Sequence, residues 1–350
     1  MLNIVVSYDY ELFLGDNFKE SSIILFEPTD RLIELMGKYG VTSTFFVDVC
    51  SVFAHKKYGL NEYVEKFTNQ LQKMILNGHD VQLHIHPNWY LSEYIDGRWV
   101  FNTSHYMLHR FGYDRKNSLN VYSIIDECIE YLEKTIKPIK PDYKCIAYRA
   151  GGYSVQPHSS LFRYLREKGI IIDSSVCTNL FCSSATLNYD FRKLPQSTNW
   201  WITPEKAFDY CGNKEEGGLF EVPLLSEKNS LINKIINQEY SKDFRIEPLN
   251  GTFIKLNDSS QVKLNLCGKA MKYMNSYALV SFDSMPAYRM IRYLNRYEKK
   301  HCNENATISV ICHPKMVDKG ELTNMEIVFR GLKEDEKVSF TSMERIANEL

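Results

Sequence analysis

The run Gly78-His79-Asp80-Val81-Gln82-Leu83-His84-Ile85-His86-Pro87 governs how the rest of the chain is read. It mixes apolar and β-branched residues and stops at a proline, which cannot continue a ladder of backbone hydrogen bonds. It reads as a strand running into a loop. Alternate residues of a strand point to the same side. His84 and His86 therefore face together at the strand's end, and His79, at an odd separation from His84, faces away. Two imidazoles converging at the mouth of a sheet make half of a transition-metal site. A hydrogen-bonded pair of structural histidines is the plainer alternative, and the surrounding chain has to decide between them.

Working outward, strands and helices alternate. Asn3–Tyr8 is a short apolar strand, 25–39 has helical spacing stopped by Gly40, and 42–49 is a second strand. A helix from Asn61, with Tyr63, Phe67, Leu71 and Met74 on one face, leads into the histidine strand. A long aromatic-rich connection, 89–117, follows. Such connections at strand ends tend to carry specificity, and Trp89 at its start is a candidate substrate contact. Then come a helix over 119–136, a strand over 144–150, a helix over 159–168 and a strand over 170–176. Residues 178–272 are polar and loop-rich with one clear strand at 219–225, and read as an insertion or lid within a single 1–350 domain. A helix over 286–300, a strand over 306–313 and helical segments over 322–332 and 342–350 close the chain. Alternation of this kind, with strands that are near-continuous apolar runs, predicts an α/β fold with a parallel sheet. About seven β/α units suit a closed or nearly closed barrel, with a doubly wound open sheet as the alternative.

Composition narrows the partners. The 350 residues are 44% hydrophobic and 24% charged, with a formal net charge of -1, which gives nucleic acid no electrostatic footing. No glycine-rich nucleotide-binding loop occurs. No apolar run is long enough to cross a bilayer, and nothing at the start resembles a signal peptide. The nine cysteines are scattered without a Cys-x-x-Cys pair, as in a protein kept reduced. These features lead us to expect a cytoplasmic protein. They leave the oligomeric state open.

Polar residues at strand ends are the default chemical site of a β/α barrel. The first strand ends Ser7-Tyr8-Asp9-Tyr10-Glu11, with Asp9 and Glu11 on one side. Later strands contribute His84 and His86, then Arg149 followed by Gly151-Gly152, then Asp173, then His313-Pro314-Lys315. Carboxylates and histidines gathered at one point can hold Zn²⁺ or a similar ion and leave a carboxylate over as a base. A rival histidine pair, His105 and His109, would share a face only on a helix.

In order, these motifs resemble those of the polysaccharide deacetylases of NodB type (carbohydrate esterase family 4). Ser7-Tyr8-Asp9-Tyr10 stands where the family has Thr-Phe-Asp-Asp. Gly78-His79-Asp80-Val81-Gln82, with His84 and His86, stands for its Gly-His-Glu-Ile-Gly and two metal-binding histidines. Arg149-Ala150-Gly151-Gly152 replaces Arg-x-Pro-Tyr. Asp173-Ser174-Ser175 and Ile308–His313 match the fourth and fifth motifs. The histidines are two apart here instead of four, and Tyr10 replaces an aspartate ligand, with Glu11 placed to substitute for it. The pattern is similar to a divergent branch of bacterial surface-polysaccharide biosynthesis.

The resemblance implies a distorted (β/α)7-type barrel. It implies a metal-dependent hydrolase that removes an N-acyl group, acetyl first, from an amino sugar or glycan precursor. The ion would be divalent, zinc before Mn²⁺, Fe²⁺ or Co²⁺, held by Glu11, His84 and His86. Asp9 would be the base, aligned by Arg149. His313 would be the acid, hydrogen-bonded by Asp173. Gly151 and Gly152 would let the backbone approach the substrate. The alternatives are the same fold acting on a formyl group or cyclic amide, and a catalytically idle carbohydrate-binding homologue.

Overall fold

The computed structural model describes residues 1–14, 20–184, 186–228, 277–333 and 335–350. Its first elements are β1 (Leu2–Tyr10), α1 (Glu27–Tyr39), β2 (Ser43–Asp48), α2 (Cys50–Lys57), α3 (Asn61–Leu76) and β3 (Asp80–Ile85). Next come a hairpin of β4 (Glu93–Ile95) and β5 (Arg98–Val100), then α4 (Val121–Ile136), β6 (Ala147–Ala150), α5 (Ser159–Glu167) and β7 (Ile172–Asp173). A second hairpin, β8 (Phe181–Ser183) and β9 (Asn188–Asp190), precedes β10 (Trp200–Ile202), β11 (Leu219–Glu221) and β12 (Ser226–Lys228). The chain closes with β13 (Tyr277–Leu279), α6 (Ala287–Lys300), β14 (Ala306–Cys312), α7 (Lys319–Lys333), β15 (Val338–Phe340) and α8 (Met343–Glu349).

The main sheet runs β10-β11-β7-β6-β3-β2-β1-β14, with β15 also paired to β1. Every pairing in it is parallel except β10 with β11. The sheet is strongly curled, a half-barrel. Single-residue bridges join Leu224 to Cys177 on one side and to Ser309 of β14 on the other, reaching across the gap. The barrel expectation therefore holds over the flat, doubly wound one. The sequence reason is visible in β1, whose residues are nearly all buried on both faces, as a strand between a core and covering helices requires.

The helices bury one stripe each. Tyr63, Phe67, Leu71 and Met74 of α3 recur at intervals of three and four and are buried. Asn120 caps α4 in a reciprocal box with Ser123. Gly40 ends α1 in the left-handed conformation that glycine adopts without strain.

Three local expectations change. Helix α2 follows β2 with no breaker residue between them and was absent from the sequence reading. The 144–150 strand pairs only from Ala147. Of 170–176 only Ile172–Asp173 form a ladder strand; beyond it Ser174 N–H still reaches the Tyr148 carbonyl, and the Ser174 and Ser175 hydroxyls meet the Val222 carbonyl and the Asp173 carboxylate. Within 178–228, β10 and β11 join the main sheet; 229–272 lie outside the described residues.

Candidate metal centre

Parallel register sets the site. Tyr10 pairs with Val47, Asp48 with His84, and His84 with Arg149, so the ends of β1, β2, β3 and β6 form one row. Glu11, one residue past β1, continues it.

The ligand atoms of Glu11, His84 and His86 lie within 4.8 Å of one another, and all three residues are buried. Among the described residues no other group of His, Cys, Asp and Glu converges in this way. His84 Nδ1 is 2.8 Å from the Arg149 carbonyl oxygen, which acts only as an acceptor. That bond places a proton on Nδ1 and aims Nε2 at Glu11 Oε2, 3.2 Å away, with Asp9 Oδ2 at 4.0 Å. A backbone carbonyl orienting a ligand imidazole in this manner is a recurrent feature of metal sites. His86 Nε2 lies against Glu11 Oε2, but not in hydrogen-bond geometry, and His86 Nδ1 has no partner among the described residues. Buried ring nitrogens without hydrogen bonds are costly. A cation that accepts the Nε2 lone pair removes part of that cost, so the residues present fit a divalent ion.

Electrostatics agree. Burial raises the Glu11 pKa, but the charges of His86 and Lys315, together with the His84 hydrogen bond, outweigh it and hold the carboxyl well below its usual range. Burial lowers the pKa of His84, yet Asp9 and Glu11 win and raise it to about 9. Positive charge on His84 thus offsets the two carboxylates, and a bound divalent ion would take the place of its Nε2 proton.

Asp9 is held differently. Its Oδ1 accepts from Arg149 Nη1 at 2.5 Å, and Oδ2 points between His84 and His313, 3.7 Å from His313 Nε2. Arg149 is fully buried. Its Nε donates to the Ser174 carbonyl at 2.8 Å, and Nη2 to Ser174 Oγ at 2.9 Å and Ser309 Oγ at 3.1 Å. The guanidinium also lies over the Phe46 ring, 4.1 Å from its centroid. Each of the three guanidinium nitrogens thus has a partner, which fixes the orientation of the fork.

His313 is where the expectation changes. Its Nδ1 pairs with Asp283 Oδ2 at 2.7 Å, and its backbone N–H donates to Asp283 Oδ1 at 3.0 Å. Burial acts to lower its pKa, but Asp283 raises it more, and the net shift is upward. Asp173, expected in this role, accepts instead from Ser175 Oγ at 2.7 Å and is paired in register with Glu221 of β11. The strand carrying Asp173 lies on the far flank of the sheet, beyond β6. A signal for Asp283 was present: Val5-Val6-Ser7-Tyr8-Asp9 is echoed by Leu279-Val280-Ser281-Phe282-Asp283, and Ser281 bridges in parallel to Ile311.

Trp89 also differs. It is 1% exposed, its indole N–H donates to Asp48 Oδ2 at 2.8 Å, and its rings pack on Trp99 and Phe101. It has no face open to a sugar. Asp48 in turn accepts from the His86 backbone N–H at 3.1 Å, so this pair fixes the loop after β3. At Gly151 a Cβ would stand 2.4 Å from the Ile85 carbonyl oxygen and 3.0 Å from His86 Nδ1. The close approach that demands glycine there is made by the chain's own strand and ligand. Gly152 has φ 56, and a Cβ would meet Leu187 at 2.2 Å.

Tyr10, the residue at the missing aspartate's position, turns into the core and donates to Gln70 Oε1 at 2.7 Å. His79 pairs with Ser43 on the opposite side of β3, as its spacing implied. His105 lies against Phe111 and Ser104, and neither it nor His109 joins the cluster. Three residues near the centre were not singled out from sequence, Asp48, Tyr106 and Tyr153, and Lys315 was gathered with the strand-end residues without a role. Tyr106 meets the His86 ring edge-on at 5.4 Å. Tyr153 holds a left-handed backbone, φ 59, unusual for a residue with a Cβ and most often seen at functional sites. Lys315 Nζ donates to Glu11 Oε1 at 2.6 Å.

No protein-family model and no curated protein matches the sequence. Solved structures do match. One, from Parabacteroides distasonis and provisionally assigned as a glycoside hydrolase/deacetylase, aligns at a TM-score of 0.57 with 12% identity, over 99% of this chain and 70% of that one. Another, from Mycobacterium smegmatis and provisionally assigned as a polysaccharide deacetylase, aligns at 0.50 with 13% identity, over 99% and 89%. At such identities the likeness is one of fold: the curled α/β sheet that carries this cluster of histidines and carboxylates at its strand ends is the fold of the polysaccharide deacetylases.

Proposed function

We propose that this chain is a metal-dependent hydrolase that removes an N-acyl group, acetyl first, from an amino sugar or glycan precursor. One observation carries the reading: a carboxylate, Asp9, is aimed between the metal-type cluster and an imidazole that is itself held by a carboxylate. Those are the base and the acid that amide hydrolysis needs, on either side of one point.

A divalent ion, zinc before Mn²⁺, Fe²⁺ or Co²⁺, held by Glu11, His84 and His86, would polarise the carbonyl and make nearby water more acidic. The chain's own residues do the rest. Asp9, held in place by Arg149, takes a proton from water as its oxygen attacks the acyl carbon. His313 Nε2 gives a proton to the departing nitrogen as the C–N bond breaks, leaving a free amine and a carboxylic acid. Asp283 holds His313 in the orientation and protonation state for that step. The eight described cysteines are all free, which supports a reducing compartment and a precursor substrate within it. No helix among the described residues is long and apolar enough to cross a membrane.

The test is acetate or formate release from N-acylated amino sugars by metal-loaded protein. His313→Ala should keep its metal and lose roughly 10²–10⁴-fold in turnover. Turnover equal to the parent's would reject the acid role, and parent protein inert on every such sugar would reject the hydrolase reading.

A further inference from the structure

Glu11 lies one residue beyond β1, outside the ladder of backbone hydrogen bonds, yet it is the carboxylate that meets the histidines. Its two oxygens are divided. Oε2 faces His84 Nε2 and His86 Nε2. Oε1 accepts from Lys315 Nζ at 2.6 Å. The same ammonium donates to the Leu12 carbonyl at 3.3 Å and lies 5.2 Å from the centre of the Phe13 ring. Three consecutive residues, 11 to 13, are thus tied to one side chain. Lys315 sits in the short turn Pro314–Met316 directly after β14, with Met316 N–H bonded to the His313 carbonyl at 2.9 Å. It joins the end of β14 to the segment that carries the ligand.

On the metal reading above, we propose that Lys315 is a positioning residue that retains the outer oxygen of Glu11, so that this carboxylate meets the ion through Oε2 alone. The reason is geometric. A carboxylate free to rotate offers both oxygens to a cation, and two-oxygen binding uses one more coordination position. A hydrolytic site needs positions left open for water and substrate. A charge-assisted bond from a largely buried ammonium is strong enough to hold one oxygen back. With two histidines and one carboxylate oxygen, the protein supplies three ligands.

The experiment uses the full chain, stripped of metal and loaded with Co²⁺, whose visible bands report coordination number. The parent should show the intense bands of a low-coordinate ion. Lys315→Met should weaken them and shift them to shorter wavelength, as coordination rises. Lys315→Arg, which keeps the charge and the donors, should retain the parent's spectrum. Bands in Lys315→Met identical to the parent's overturn the proposal, as does an equal change in Lys315→Arg. His84→Ala separates the two levels of inference: if it binds Co²⁺ with the parent's affinity and spectrum, the metal site itself is misassigned, and not only the role of Lys315.

Discussion

Two pairs of buried carboxyl groups stand at the strand ends, and they behave oppositely. Asp9 and Glu11, at the end of β1, are surrounded by Arg149, Lys315, His84, His86 and His313. Asp173 and Glu221, paired across β7 and β11, are as deeply buried, but what they touch is mostly neutral: the Ser175 hydroxyl and the backbone N–H groups of Ser175 and Val176. The first pair keeps Glu11 ionised. In the second, burial and the neighbouring Asp173 push Glu221 well above the usual carboxylate range, and burial also raises Asp173. In that pair the protonated form is the one favoured. Burial alone therefore does not mark a reactive carboxylate; the cations placed around it do.

The contrast can be broken in stages. The largest effect should come from the ligands themselves. His84→Ala and His86→Ala should each weaken binding of Zn²⁺ or Co²⁺ by more than about 100-fold, beyond what loss of an outer-sphere partner usually costs. Titration calorimetry on stripped protein reads this directly, and full affinity in both variants would empty the first pair of its assigned purpose. Next is Arg149→Met, which makes the first pair resemble the second. It leaves Asp9 facing buried surroundings without its cation, and should cost about 3–5 kcal/mol in denaturant unfolding. A loss below about 1 kcal/mol would show that the fold does not depend on Arg149 to accommodate Asp9.

The smallest effect sharpens the other side. A carboxyl whose pKa is raised by folding binds its proton more tightly in the folded state. Glu221 therefore favours the fold most below the unfolded value, near about 4.3, and that contribution fades as pH rises toward the raised value. Glu221→Gln should be at least as stable as the parent at pH 8. Its advantage, about 1 kcal/mol for each unit of the upward shift, should shrink as the pH approaches 5. Thermal melts across this range measure it; a gap that does not vary with pH would mean Glu221 is ionised throughout.

Much of the centre was legible because strand periodicity is local. His84 with His86, and Asp9 with Glu11, need only the rule that alternate residues share a face. Arg149 and His313 needed the further idea that parallel strands end together. Partners supplied from a distance were not legible. Asp283 reaches His313 from a segment thirty residues earlier, and Asp173, next to a matching motif, looked equally suited until the strand order placed it beyond β6. Trp89 failed for a related reason. An aromatic residue at the start of a loop reads the same whether it faces solvent or core, and only the register of β2 with β3 reveals that Asp48 receives its N–H. Gly151 was read as a place where the backbone meets substrate, whereas what crowds it is the Ile85 carbonyl and the His86 ring.

The antiparallel pair β12–β13 has a consequence for how this chain can diversify. Ser226 lies opposite Leu279 and Lys228 opposite Tyr277, so the intervening chain departs and returns through one doorway. Four residues past the end of β13 at Leu279, Asp283 is already bonded to His313. The stem works as a socket: Asp283 and His313 are bonded on its near side, apart from whatever joins Lys228 to Tyr277. A change in the length of chain passing through that doorway therefore costs little in loop-closure entropy and leaves the register of β13 and the Asp283–His313 bond as they are.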